Sequence, residues 1–194
     1  MKPRSRRGAR KDDSGQKGRV HVYCWDASAF LAWINGETKT PQVDADLEAA
    51  VEDIDNGRAI LVVSVMASCE VLNAKMDTQE KRDRYAQLFE RDNIVWAEVS
   101  QEIAKRAGEI RLEADEKHGY KLGSEDSIYM ATGFAYNADE IHAFDPHFTD
   151  LNGQLQSLPI PMVFPRGCGA RRLPLTIPSV RADTEAKDGS TEGE

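Results

Sequence analysis

Long apolar runs are missing from this 194-residue chain, and so is any grouped set of cysteines. No stretch approaches the roughly 18 apolar residues that a membrane span needs, and the N-terminus has no apolar signal-peptide core, which predicts a cytoplasmic protein. Cys24, Cys69 and Cys168 lie far apart, without the spacing of a zinc site or a disulfide framework. Two of the three sit in apolar runs, so all are expected to be reduced and buried. His142 and His147 have no cysteine or third histidine nearby, which leaves zinc without a ligand set. Positive charge is short as well: 25 Lys and Arg stand against 33 Asp and Glu, for a net charge of −8.

That charge is unevenly spread. Residues 1–19 hold eight bases and two acids, whereas residues 176–194 hold five acids and two bases, which leaves −11 on the stretch between them. Neither end has much to bury, so a disordered basic tail over 1–19 and a flexible C-terminal tail over 166–194 are expected around one folded domain at 20–165. The apolar fraction of 40% suffices for one well-packed core. The basic tail could touch nucleic-acid phosphates or simply aid solubility. A body at −11 argues against nucleic acid unless several of its carboxylates are neutralised by bound cations.

What the chain does have is a regular alternation of element signals. Val20 to Trp25 reads as a buried strand, and Ala27 to Ile34 as the helix after it. Val43, Leu47, Val51 and Ile54 recur at helical spacing up to Asn56-Gly57. Ala59 to Val63 is a second strand, with Ser64 placed to cap a helix, and Ile94 to Trp96 a third. Ser100 caps a long helix whose Ile103, Ala107, Ile110 and Ala114 share a face and whose stop is Gly119. Ile128, Ala131 and Ala135 mark another helix, and Glu140 to Asp145 a short strand. Pro159 to Phe164 suits only a sheet edge, because it contains two prolines. Strands alternating with helices predict an α/β fold with a central parallel sheet flanked by helices on both faces.

Four acids fall where those elements begin or end. Asp26 closes the first strand, at the edge of the crevice where open α/β sheets bind ligands, and would also serve as a helix cap. Glu70 lies on a helix among Val65, Met66, Val71 and Leu72, company that suits a core more than a surface ion pair. Asp126 sits in the first turn of its helix, where the helix dipole favours a carboxylate with or without chemistry, and Glu125 beside it is a competing candidate. Asp145 precedes Pro146, an ordinary turn opening. Brought together, four carboxylates must either take up protons or bind cations, and an all-oxygen set selects Mg²⁺ or Mn²⁺.

The order of these stretches, Asp26-Ala27-Ser28-Ala29-Phe30-Leu31, Ser64 to Val71, Asp126 to Ala131 and Phe144-Asp145-Pro146-His147-Phe148, resembles the PIN-domain nucleases, most closely the VapC-type toxins of toxin–antitoxin pairs. Ala143 departs from the family, which often has Thr two residues before the fourth acid, and the Asn35–Gly57 connection is long. The resemblance implies a single PIN-like domain and a metal-dependent endoribonuclease with Asp26, Glu70, Asp126 and Asp145 as metal ligands. It also implies an RNA substrate, a cognate antitoxin that enters the acidic groove, and a possible homodimer. One or two Mg²⁺ or Mn²⁺ ions would activate water and clamp the phosphate during in-line displacement, while Ser28 would support a ligand carboxylate from behind. Lys75, Arg82, Arg111 and Lys121 are candidates to hold the RNA backbone. The alternatives are a PIN nuclease of RNA maturation, a non-catalytic PIN binding module, and a haloacid-dehalogenase-type phosphatase. The last requires an acid two residues after the first Asp, where this chain has Ser28.

Overall fold

The β-branched and aromatic runs form five short parallel strands. A computed structural model describes residues 19–169, apart from 38 and 75. The chain begins with β1 (His21–Trp25), α1 (Ala27–Asn35), α2 (Pro41–Asp55), β2 (Ala59–Ser64), α3 (Met66–Ala74) and α4 (Gln79–Leu88). It continues through β3 (Ile94–Ala97), α5 (Gln101–His118), α6 (Ser124–Ala135), β4 (Glu140–His142), α7 (Pro146–Asp150) and β5 (Met162–Val163). The long connection after Asn35 is filled by α2, which Thr40 caps by accepting from the Val43 N–H at 3.3 Å. Ser100 caps α5, and Gly119 ends it in the left-handed conformation at φ 66° that glycine adopts without strain.

Strand order across the sheet is β3-β2-β1-β4-β5. The chain builds outward from β1 through β2 to β3, then crosses back to lay β4 on the other side of β1, in register Trp25↔His142. The order therefore reverses between β1 and β4, and the crevice beyond their carboxyl ends is the natural ligand position in such a sheet. Asp26 extends the first of these ends and Phe144-Asp145 the second.

Pleating sends successive residues of β1 to opposite faces. Cys24 meets α6 through the Tyr129 carbonyl at 3.7 Å, and a Cβ added to Gly133 of that helix would meet Cys24 Cβ at 3.3 Å. Tyr23 and Trp25 turn the other way, toward Asp53 of α2, whose Oδ2 is 3.1 Å from the Tyr23 hydroxyl, and toward Trp33 of α1. Helices thus cover both faces. Phe30, Trp33, Tyr85 and Trp96 join α1, α4 and β3 in edge-to-face ring contacts. Among the described residues no helix is long and apolar enough to cross a membrane.

Two expectations need adjustment. All three cysteines are free, but only Cys24 is buried; Cys69 and Cys168 are exposed, because a helix turns some positions outward and the apolar neighbours of Cys69 occupy the inward ones. Residues 1–18 and 170–194, which hold most of the two expected tails, lie outside the described residues. Of the stretch assigned to the C-terminal tail, Arg166 pairs with buried Glu140 at 2.5 Å, and the Cys168 N–H donates to Asp53 at 2.6 Å.

Candidate metal and catalytic centre

Asp26 is built into the junction of β1 and α1. Its backbone N–H continues the sheet by donating to the His142 carbonyl at 3.0 Å, and its carboxylate caps α1 by accepting from the Ala29 N–H at 2.8 Å. The Ser28 hydroxyl lies 2.8 Å from both carboxylate oxygens. The same hydroxyl accepts the Phe144 N–H at 2.8 Å, so Ser28 ties the end of β4 to Asp26. Ala143 is fully buried and brings no hydroxyl of its own.

Burial leaves Asp26 only 4% exposed and pushes its carboxyl up to about 7. The two hydrogen bonds oppose the shift, and the charges of Asp126 and Asp145 add to it. Asp126 stands in the first turn of α6, where burial and then Asp145 raise it, against His147 and the Gly123 N–H. Asp145 caps α7 through the His147 N–H at 2.8 Å. Asp126 and Asp145 are therefore close enough to raise Asp26, and Asp145 to raise Asp126. Both structural roles foreseen for Asp26 and Asp145, helix cap and turn opener, are also present. They place the carboxylates without neutralising them.

Glu70 reaches the group through a residue that sequence reasoning passed over. The Tyr129 hydroxyl donates a short hydrogen bond to Glu70 Oε1. Burial first, then that bond, then the charges of Glu70, Asp26 and Asp126 hold the Tyr129 phenol far above its ordinary pKa. A neutral donor thus sits among three of the acids. The signal for it was available: Tyr129 lies three residues after Asp126, on the same helical face. His147, weighed from the sequence only as a zinc ligand, has Nδ1 3.4 Å from Asp145 Oδ1 and 3.9 Å from Asp126 Oδ2. His142 points away. Its buried ring accepts from Trp25 Nε1 at 2.9 Å and approaches Glu140 at 3.3 Å, and burial holds it below the usual histidine range.

Among the described residues no three His, Cys, Asp or Glu side chains are gathered closely enough to hold an ion between them. The acids instead grade from buried Asp26 to partly exposed Asp126 and Asp145, with side-chain exposures of 25% and 37%. Mg²⁺ keeps several of its waters and uses one or two carboxylates, so an open, oxygen-only set fits such an ion better than a closed cage would. Of the candidate backbone-binding residues, Lys75 lies outside the described residues. Arg82 is engaged within α4, 3.3 Å from Gln79. Arg111 binds the Leu122 carbonyl at 3.2 Å and Ser124 Oγ at 3.3 Å, at the start of the helix that carries Asp126. Lys121 is exposed.

An acidic cluster at the strand-order reversal of a five-stranded parallel sheet defines the class, and comparison with known proteins supplies the family. The PIN domain family matches residues 23–154, more than half of the chain, and the chain belongs to it. No curated protein matches the chain. Among solved structures it is similar to VapBC2 from Rickettsia felis, bound to a DNA fragment from its promoter, at 16% identity and a TM-score of 0.51, over 73% of this chain and 96% of that one. It is also similar to VapC20 from Mycobacterium tuberculosis, a sarcin-ricin loop cleaving toxin, at 15% identity and a TM-score of 0.50, over 66% of this chain and 93% of that one. At such identities the likeness is one of fold.

Proposed function

We propose that this PIN-domain protein is a metal-dependent endoribonuclease that hydrolyses RNA phosphodiester bonds, and that it acts as the toxin of a toxin–antitoxin pair. One observation carries the reading. The carboxyl of Asp26, held by Ser28 and the Ala29 N–H at the end of β1, is pushed to about 7 by burial and by Asp126 and Asp145. A protein that needed only a helix cap there has no reason to crowd it with two more acids.

Asp26, Glu70, Asp126 and Asp145 would hold Mg²⁺ or Mn²⁺. When bound, such an ion supplies water activation near neutral pH and charge neutralisation at the phosphate. The chain's own part is positioning: Ser28 orients Asp26, Tyr129 orients Glu70, and His147 bridges toward Asp126 and Asp145. RNA as substrate is supported by the family resemblance and by VapC20, whose described target is the sarcin-ricin loop. A cognate antitoxin as partner is supported by the likeness to VapBC2. A homodimer and a cytoplasmic location belong to the same reading.

The test is cleavage of a labelled RNA pool by the purified chain with Mn²⁺, Mg²⁺ or EDTA, beside Asp126→Asn. Cutting should require the metal and fall at least about a hundredfold in the variant. Metal-independent cutting, or equal cutting by a folded Asp126→Asn protein, would remove the acids from the chemistry.

A further inference from the structure

Just past the carboxyl ends of β4 and β5 stand two phenylalanines that the metal chemistry does not use. Phe144 immediately precedes Asp145, and its N–H is held by Ser28 Oγ, the hydroxyl that also touches Asp26. Phe164 follows β5, next to β4 in the sheet. Its ring stacks on Phe144 with centroids 6.0 Å apart and planes inclined by 30°. A stacked aromatic pair normally ends up buried, yet Phe164 keeps 49% of its surface in solvent. Lys39 completes the arrangement, with Nζ 5.6 Å from the Phe144 ring centroid and 3.1 Å from Glu37. A half-exposed aromatic pair, with a lysine over one ring that is ion-paired to Glu37, therefore adjoins Asp145 in the chain.

We propose that the Phe144–Phe164 pair is a stacking platform for one unpaired nucleobase of the bound strand, with Lys39 taking a neighbouring backbone phosphate. The proposal rests on the nuclease reading above and adds to it the residues that hold the substrate. Stacking is the attraction that a negatively charged body can still offer a nucleic acid, since every base has a π-face whatever the phosphates do. A base in a duplex already has both faces covered and cannot be shared with a protein ring unless it is extruded. Phe144 adjoins Asp145 in the chain, and its backbone N–H is held by the Ser28 hydroxyl that also bonds Asp26, so the backbone that carries the platform is fixed to the backbone that carries the acids.

The experiment uses the full chain carrying Asp126→Asn, so that RNA stays intact, and a set of fluorescein-labelled single-stranded decaribonucleotides in which each nucleotide in turn is made abasic. One abasic position should weaken binding about tenfold. Adding Phe164→Ala should weaken binding of the intact strand by a similar factor and abolish the further loss at that position, while Phe164→Trp restores both. Because Phe164 is half exposed, Phe164→Ala should melt with the parent. Unchanged binding by Phe164→Ala, or equal abasic losses in both proteins, would assign the rings to a protein contact and overturn the platform. Cleavage by the chain without Asp126→Asn separates the two readings. Metal-dependent cutting that Phe164→Ala leaves unaltered in KM overturns the platform and keeps the nuclease. Abasic coupling without any cutting keeps the platform and overturns the nuclease. No RNA binding at all overturns both.

Discussion

A carboxylate that is 4% exposed, with two more acids close by, ionises only against resistance, and for Asp26 that resistance has a measurable sign. Its folded pKa is about 7, against roughly 4 in an unfolded chain, so the folded protein binds the extra proton between those values. The cost to stability is absent below about pH 4, grows as pH rises, and is complete above about pH 7. Asp26→Asn keeps a side-chain oxygen for the Ala29 N–H, and Asn caps helices as well as Asp does. In EDTA the variant should match the parent near about pH 4 and exceed it by about 2–4 kcal/mol near about pH 8, as read by urea unfolding. A variant less stable than its parent at both pH values would make Asp26 a cap and nothing more. At this scale, Asp26, Asp126 and Asp145 could be singled out because each stands at an element boundary, where strand ends and helix starts can be read from periodicity, and Glu70, in the middle of α3, because its neighbours are apolar. Tyr129 was marked only by its spacing from Asp126 and His147 only by its place beside Asp145, since a tyrosine on an apolar face and a histidine in a turn have ordinary structural explanations. Only the folded geometry turns the Tyr129 hydroxyl toward Glu70 and brings His147 beside Asp126.

Helix α6 shows how closely an element must sit to deliver its residue. A Cβ added to Gly133 would meet Ile141 Cγ1 and Cδ1 at 2.8 Å, and Ile141 is fully buried in β4, so either the isoleucine or the helix must give way. Alanine's better helix propensity, worth about 1 kcal/mol, works against an overpacking cost of about 1–3 kcal/mol. Gly133→Ala should therefore lower stability by about 1 kcal/mol and reduce cleavage by displacing Asp126. Gly108 in α5 is the control: nothing lies within 4 Å of its added Cβ, so Gly108→Ala should gain up to about 1 kcal/mol. Thermal melts of the two variants beside the parent check both signs. Most elements could be read from the chain, including α2 from its helical repeat and the edge position of β5 from Pro159 and Pro161. Helix α4 could not. Its sequence, QEKRDRYAQL, is almost entirely polar, and among its described side chains only Tyr85 and Leu88 are buried, so the apolar stripe that betrays a helix is too thin to see. The last two strands are also only three and two residues long, shorter than the runs at 140–145 and 159–164 suggest.

Across the whole molecule the ionisable groups divide into two sets with opposite pH limbs. Burial pushes Glu113 and Glu140 up, but their partners prevail and bring both down to about 2. Glu113 accepts from the Gln156 and Ser157 N–H groups at 3.0 and 2.9 Å and pairs with Lys117, and Glu140 is held by His142 and Arg166. Their stability is present above about pH 4.5 and is lost as pH falls toward about 2, so they govern acid unfolding. Asp26 and Asp126, both raised, govern the other limb, where folding is penalised as pH rises. His142, fully buried and lowered by that burial, has the contrary sign and gains stability as pH rises toward about 6.5. The net profile mixes these terms, but the response to metal separates them. Glu113, Glu140 and His142 are bonded to partners outside the acidic centre, so their contributions cancel in the difference between melts with and without Mg²⁺. What remains is the ionisation of Asp26 and Asp126, which a cation must draw out before it can bind. Stabilisation by a fixed, subsaturating Mg²⁺ concentration should therefore be small near about pH 5 and grow steadily to about pH 8. At a hundredfold excess over the dissociation constant it reaches about 2.7 kcal/mol. In Asp26→Asn the response should be weaker at high pH and flatter across the range. A Mg²⁺ effect of equal size at both pH values, retained in that variant, would locate the ion on the surface charges of this acidic body and away from the end of the sheet.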